Sequence, residues 1–272
     1  MSLPSPSKDA TSLVTGASSG IGAEIARSLA RRGHGVTLSA RREDKLRDLA
    51  DELSKEHGVR AEVVAVDLTD ADARGELPGR LQDLGLRVDV LVNNAGFSTT
   101  GPVYEADRQS ELTMLRTNIE AVADLCTLFL PGMVERRSGA ILNVASTAAF
   151  QPLPGQTGYA ATKAFVLSYT QGLQGELLGK GVTVTALCPG PVDTGFGEKA
   201  GFTADEESTM PKFMWVTARA VAEAAVSGLE KGRREVIPGA ANQIVARLAH
   251  LSPRSILVPA AARMHPALRR RS

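Results

Sequence analysis

The chain has 272 residues, 43% of them hydrophobic and 4% aromatic, and its 31 Lys and Arg against 30 Asp and Glu leave a formal net charge of +1. That length supports one substantial core, and the even charge balance and scarcity of rings argue against nucleic acid as a partner. Cys126 and Cys188 are too few for a metal cluster and read as small buried hydrophobes, a usage that fits a reducing compartment.

Residues 1–10 carry no apolar signal core and are expected to be a flexible lead-in. No run reaches about 18 apolar residues, so the expectation is a cytoplasmic chain without a transmembrane segment. A short buried strand spans Ser12 to Thr15. The helix from Ile21 to Arg31 sets Ile21, Ile25 and Leu29 on one stripe. Val36 to Ala40 is the second strand. The helix from Glu43 to Glu56 turns Leu46, Leu49, Ala50 and Leu53 inward. Ala61 to Val66 is the third strand and ends at Asp67. This strand–helix rhythm requires an α/β fold with a mainly parallel sheet covered by helices on both faces, a three-layer αβα sandwich.

Residues 88–92 form the fourth strand, running into Asn93-Asn94-Ala95-Gly96. A long helix is predicted from Glu111 to Leu130, stopped by Pro131-Gly132. Ala140 to Val144 is a strand, Thr157 to Leu178 a second long helix, and Val182 to Leu187 a strand closed by Pro189-Gly190-Pro191. The acidic segment 195–210 opens with glycine, has few apolar anchors and follows a strand end, which predicts a substrate lid. A helix at Ala218 to Gly228 and a strand at Glu235 to Ile237 complete a single domain over 11–240. Residues 241–272 form a helical, basic extension: Ala241 to Leu251 and Ile256 to Met264 mix aliphatic and basic residues ahead of Arg269, Arg270 and Arg271. One reading packs this tail on the domain or on a second subunit. The other is a weak membrane-surface or acyl-carrier contact.

Gly16, Gly20 and Gly22 follow a buried strand and open a helix. Such a turn lets a cofactor approach closely, and the helix N-terminus favours a pyrophosphate. The spacing differs from Gly-x-Gly-x-x-Gly, but its strand–turn–helix setting still points to a dinucleotide. The second strand ends Ala40-Arg41-Arg42, with no carboxylate to hold a ribose diol. Arg41 is placed to pair with a 2′-phosphate, which selects NADP(H) over NAD(H). Arg42 either joins it or begins a solvated helix. Asp67 either accepts from the adenine amine or is a turn acid ahead of Thr69-Asp70.

Tyr159 and Lys163 stand four residues, one helical turn, apart, and Ser146 precedes the tyrosine by thirteen. A phenol with a pKa of about 10 is made more acidic by a neighbouring cation. Tyr159 can then give a proton to, or take one from, the oxygen of a carbonyl undergoing hydride exchange, while Ser146 donates to the same oxygen. Lys163 can also hold the nicotinamide ribose. Asn118, a poor helix former, can keep an ordered water beside Lys163.

Together these features resemble the NADP-preferring short-chain dehydrogenase/reductase family, over about residues 10–240. The motifs that match are Thr-Gly-Ala-Ser-Ser-Gly-Ile-Gly at 15–22, Asn-Asn-Ala-Gly at 93–96, the ordered set Asn118, Ser146, Tyr159, Lys163, and Pro189-Gly190-Pro191-Val192-Asp193-Thr194. The resemblance implies a Rossmann sheet of about seven strands and a homodimer or homotetramer built on the long helices near Glu111 and Thr157. It implies an oxidoreductase acting on a small-molecule carbonyl or alcohol, without a metal. It also implies cofactor contacts from Gly16, Ser18, Ser19, Gly20, Ile21, Gly22, Arg41, Arg42, Asp67, Leu68, Asn94, Ala95, Gly96, Tyr159, Lys163, Pro189, Gly190, Val192 and Thr194. Of these, the Val192 backbone and the Thr194 hydroxyl would meet the carboxamide. Alternatives on the same scaffold are an NAD-preferring dehydrogenase, a 3-oxoacyl thioester reductase and a cofactor sensor without turnover. The pattern does not extend to 241–272.

Overall fold

The computed structural model describes residues 3–203 and 211–269. The first half alternates β1 (Ala10–Thr15), α1 (Gly20–Ala30), β2 (Val36–Ser39), α2 (Glu43–His57) and β3 (Ala61–Val63), followed by two short helices, α3 (Ala71–Gly75) and α4 (Leu77–Asp83), and β4 (Arg87–Asn93). The second half has α5 (Arg108–Leu115), α6 (Ala121–Glu135), β5 (Gly139–Val144), α7 (Thr157–Glu176), β6 (Val182–Leu187), β7 (Val192–Asp193) and α8 (Phe196–Ala200). It ends with β8 (Val216–Thr217), α9 (Ala218–Glu230), β9 (Glu235–Val236), α10 (Ala240–Leu251), α11 (Arg254–Met264) and α12 (Pro266–Arg269).

Seven strands pair in the order β3-β2-β1-β4-β5-β6-β9, and every neighbouring pair is parallel. This is the Rossmann-type three-layer sandwich. Strands buried on both faces need apolar residues throughout, and β1, β5 and β6 are buried along their whole length. One layer packs α1, α2 and α9 on the sheet around Ile25, Leu29, Leu46, Leu53 and Val221. The other packs α4, α6 and α7 around Leu81, Leu125, Cys126 and Leu173. Strand order reverses between β1 and β4. A crevice opens beyond the carboxyl ends of the strands at such a point, so the ligand site is set by the topology.

Several elements differ from the sequence expectation. β3 is short, although Val64 N and Val66 N still donate to Leu38 O and Ala40 O at 3.0 and 3.2 Å. The helices α3 and α4 were not expected; they begin at the Asp70 cap, whose carboxylate accepts from Asp72 N and Ala73 N. The helix expected over 111–130 starts earlier, at Arg108, and passes through a π-helical turn at Arg116–Glu120. It then runs through Pro131 to Glu135. A proline removes one helical donor, and the buried Met133 packed on Gly139 holds the last turn in place. In the segment 195–210, residues 196–200 are helical rather than irregular. Residues 204–210, with the acidic run Asp205-Glu206-Glu207, lie outside the described residues. The tail from Ala240 is helical. No described helix is long and apolar enough to cross a membrane.

Candidate active site

At the β1–α1 turn, Asn94 Nδ2 donates to Thr15 O at 2.9 Å, and Asn94 N and Ala95 N both donate to the Thr15 hydroxyl, at 3.0 and 3.1 Å. The end of β4 is thereby stitched to the glycine turn. A side chain at Gly22 would collide with the Asn94 amide and Gly16 O, so glycine is required there by close approach. Thr194 packs over Gly20, which brings the segment after β7 to the same turn. At the end of β2, Arg42 reaches back and donates to the hydroxyls of Ser18 and Ser19, both at 3.0 Å. It is exposed and stands at the N-cap of α2, so it begins a solvated helix while its guanidinium reaches back to the turn. Asp67 is a turn acid: its Oδ1 accepts from Thr69 N and Thr69 Oγ1 at 2.9 Å each, and these bonds hold its carboxyl below the usual range, with Arg41 adding a weaker attraction. The Leu68 side chain is in the core, and Leu68 O accepts from the buried Arg74 at 2.6 Å. Of Leu68, only the backbone N–H is left to meet a ligand.

Ser146 lies two residues beyond β5 and begins a 3₁₀ turn by accepting from Ala148 N at 3.1 Å. One turn of α7 separates Tyr159 from Lys163, and both are buried. Lys163 Nζ donates to Val144 O at 2.8 Å and lies 5.8 Å from the centre of the Tyr159 ring. The fully buried Asn118 sits in the π turn, its amide tied to Phe97 O at 2.9 Å and Thr162 Oγ1 at 3.0 Å. Its Oδ1, which accepts from Phe97 N, faces Gly96 beside Lys163 Nζ. π turns often mark functional sites, because the extra residue re-aims a side chain.

The electrostatics run against the sequence expectation. Burial pushes the Tyr159 phenol up to about 12, with the Ser146 hydroxyl partly offsetting it. Burial also pulls the Lys163 ammonium down to about 8. Low dielectric penalises both charged forms, and burial is the larger influence on each group.

A cleft of about 430 Å³ joins the two ends. Gly16, Ser19, Gly20, Ile21, Asn94, Ala95, Gly96, Ser146, Tyr159, Lys163, Pro189, Gly190, Val192 and Thr194 all line it. Gly22, Leu68 and Asn118 stand behind the wall, and Ser18, Arg41, Arg42 and Asp67 lie beyond its rim. Sequence reasoning missed the outer walls Phe97, Leu153, Gln156, Met214 and Trp215, and covered Phe196 and Phe202 only as part of the expected lid segment. The Phe196 ring lies 5.7 Å from that of Tyr159. No motif marks these residues. Their one signal is position, next to segments that end strands. Among the described residues, no group of three or more His, Cys, Asp or Glu is arranged to hold a metal. The glycine turn, the helix N-terminus behind it and the elongated cleft fit a dinucleotide.

A short chain dehydrogenase family model matches residues 10–204. The chain belongs to that family and is an oxidoreductase acting with a nicotinamide cofactor on a carbonyl or alcohol group. It is 34% identical, over 82% of its length and 92% of the relative, to an uncharacterized oxidoreductase of Staphylococcus saprophyticus. It superposes on a short-chain dehydrogenase from Sphingobium yanoikuyae in complex with NADPH, with TM-score 0.77, 35% identity and coverage of 84% and 86% of the two chains. The bulky-bulky ketone specific alcohol dehydrogenase of Comamonas testosteroni gives TM-score 0.74 at 33% identity, covering 85% and 87%.

Proposed function

We propose that the chain is an NADP(H)-dependent ketone reductase in which Tyr159 is the general acid. The single observation that carries this is the convergence of Ser146, Tyr159 and Lys163 on one wall of the cleft that begins at the glycine turn. A bound nicotinamide supplies the hydride. A phenol held at about 12 is fully protonated at neutral pH, so Tyr159 Oη keeps a proton to donate to the oxygen of a reduced carbonyl. Ser146 Oγ gives that oxygen a second hydrogen bond as negative charge develops. Lys163 binds Val144 O through one N–H and has two left for ribose hydroxyls and the phenol. Asn118 Oδ1 is the acceptor for a water beside Lys163.

Arg42, anchored on Ser18 and Ser19, and Arg41 beside it supply the cationic rim for a 2′-phosphate. The Sphingobium relative's NADPH complex supports that preference. Apolar walls from Phe97, Leu153, Phe196 and Trp215 favour a ketone with hydrophobic substituents, in keeping with the Comamonas relative. Residues 195–203, which run into the undescribed 204–210, would close over the substrate with Phe196 against the tyrosine. The half-exposed rings of Phe129, Phe165 and Tyr169 on α6 and α7 suit pairing with a second copy. The test is absorbance at 340 nm with NADPH and NADH against ketones, aldehydes, keto sugars and oxoacyl thioesters. Tight NADPH binding without oxidation by any member of that panel would replace this reading with a cofactor sensor.

A further inference from the structure

The tail beyond β9 returns to the mouth of the cleft. α10 packs through Ala246 and Ala249, and α11 starts at Arg254, whose guanidinium donates to Phe150 O at 3.1 Å. At the far end of α11, His265 is buried against two residues of the cleft wall that come from different parts of the chain. Its Nε2 lies 3.5 Å from Gln156 Oε1, and its ring centre is 5.9 Å from that of Phe202. Gly155, at φ +89°, has no side chain, and any Cβ there would run into the imidazole. The loop before α7 is thus shaped to receive this ring.

Further bonds tie the surrounding loops to the same junction. Gln156 Nε2 donates to Ser98 Oγ at 2.8 Å, and Gly101 N donates to Gly155 O at 2.8 Å. Thr100 Oγ1 donates to Ala200 O at 2.8 Å, joining this cluster to α8. Three loops that wall the outer cleft therefore meet where His265 is wedged. His265 itself does not reach the cavity, whereas Gln156 and Phe202 do.

We propose that His265 is a positioning residue: acting as a wedge on Gln156 and Phe202, it fixes the width of the outer cleft and so limits the size of ketone accepted. This rests on the ketone-reductase reading. Removing the ring leaves a gap behind both wall residues, so they can move apart. Each added methylene that a pocket then admits is worth about tenfold or more in selectivity. Ser146 beyond β5 and Tyr159 and Lys163 on α7 are untouched.

The experiment uses the full chain with His265→Ala and His265→Phe. The first removes the wedge, and the second keeps a flat ring of similar size. The ratio of kcat/KM for benzophenone to that for butan-2-one is expected to rise on the order of tenfold in His265→Ala, chiefly through KM. It should stay within about threefold of wild type in His265→Phe. A ratio unchanged in His265→Ala, or shifted equally by both variants, overturns the proposal. A second readout needs no turnover: hydrogen exchange of the Gly101 amide in the cofactor-free protein should quicken in His265→Ala and not in His265→Phe. If wild type reduces no ketone, the functional reading fails while this exchange still decides the wedge. Equal Gly101 exchange in wild type and His265→Ala overturns it.

Discussion

Replacing Lys163 by methionine should stabilise the cofactor-free protein while abolishing turnover. Burial pulls the ammonium from an ordinary 10.5 to about 8. That difference corresponds to roughly 3 kcal/mol of strain on the charged form. Methionine has a similar reach and no charge, and this removes the strain. It also takes away the donor to Val144 O, and an orphaned buried carbonyl costs about 1–2 kcal/mol. The net gain expected at pH 7 is about 1–2 kcal/mol, a few degrees in melting temperature. The pH dependence gives the stricter check. Lys163 is a base with a depressed folded pKa, so its cost is full below about 8. It fades as pH rises towards the unfolded value, because there the unfolded chain binds more protons than the folded one. The advantage of the variant should therefore shrink across that window. Burial pushes the Cys126 and Cys188 thiols up, which weakens both proteins alike as pH rises, so only the difference between them is read. The assay is urea unfolding of both proteins from pH 7 to 9.5. Equal stability at pH 7, with no change in the difference up to pH 9.5, would refute the argument.

Tyr159→Phe removes the transferable proton and keeps the ring against Phe196; turnover should fall on the order of 10²–10⁴-fold with NADPH affinity retained, and a near-normal single-turnover rate would dismiss the tyrosine as acid. Arg42→Ala and Arg41→Ala should each weaken NADPH by about tenfold to a hundredfold and NADH much less; calorimetric titration showing equal losses for the two cofactors would make these arginines general contacts. Arg74→Leu should destabilise the fold by about 1–3 kcal/mol, since the buried guanidinium bridges Glu120 and Asp124 and its loss leaves Leu68 O without a donor while the two partly exposed acids turn to solvent; an unfolding midpoint within a degree of wild type would contradict this.

The alternating strands and amphipathic helices were legible because burial imposes their periods on the sequence. Ile25 with Leu29, and Leu46 with Leu53, lie on the faces that the spacing assigns. Ser146, Tyr159 and Lys163, which the fold brings to one cleft, were marked by their order and spacing. What escaped has no local period. Five-residue α3 is too short to carry a stripe and depends on the Asp70 cap and on Arg74, whose partners lie on the π turn and α6. Pro131 reads as a helix stop, yet the packing of Met133 carries the helix past it. The π turn at Asn118 cannot be read from residue preference, because tertiary bonds to Phe97 and Thr162 fix it. The contact of His265 with Gln156 joins positions 109 apart in the chain, with no motif at either end.

The electrostatic disagreement has the same origin. Spacing places a cation one turn from a phenol, and from that alone the phenol becomes more acidic. The fold buries both groups, and burial favours the neutral form of each. The coupling read from the sequence therefore needs something that keeps Lys163 charged. Hydroxyls accepting from its remaining N–H groups, and the negative charge of a dinucleotide, act in that direction, because both stabilise the ammonium and not the amine. A lysine held charged then lowers the phenol beside it. On the proposed mechanism, the strain on Lys163 and the activation of Tyr159 would have one cause, the cost of a buried ammonium. It follows that Lys163→Met should lose, in saturating NADPH, the stability advantage it holds without it, since the ligand stabilises the wild-type fold by mass action through contacts the variant lacks.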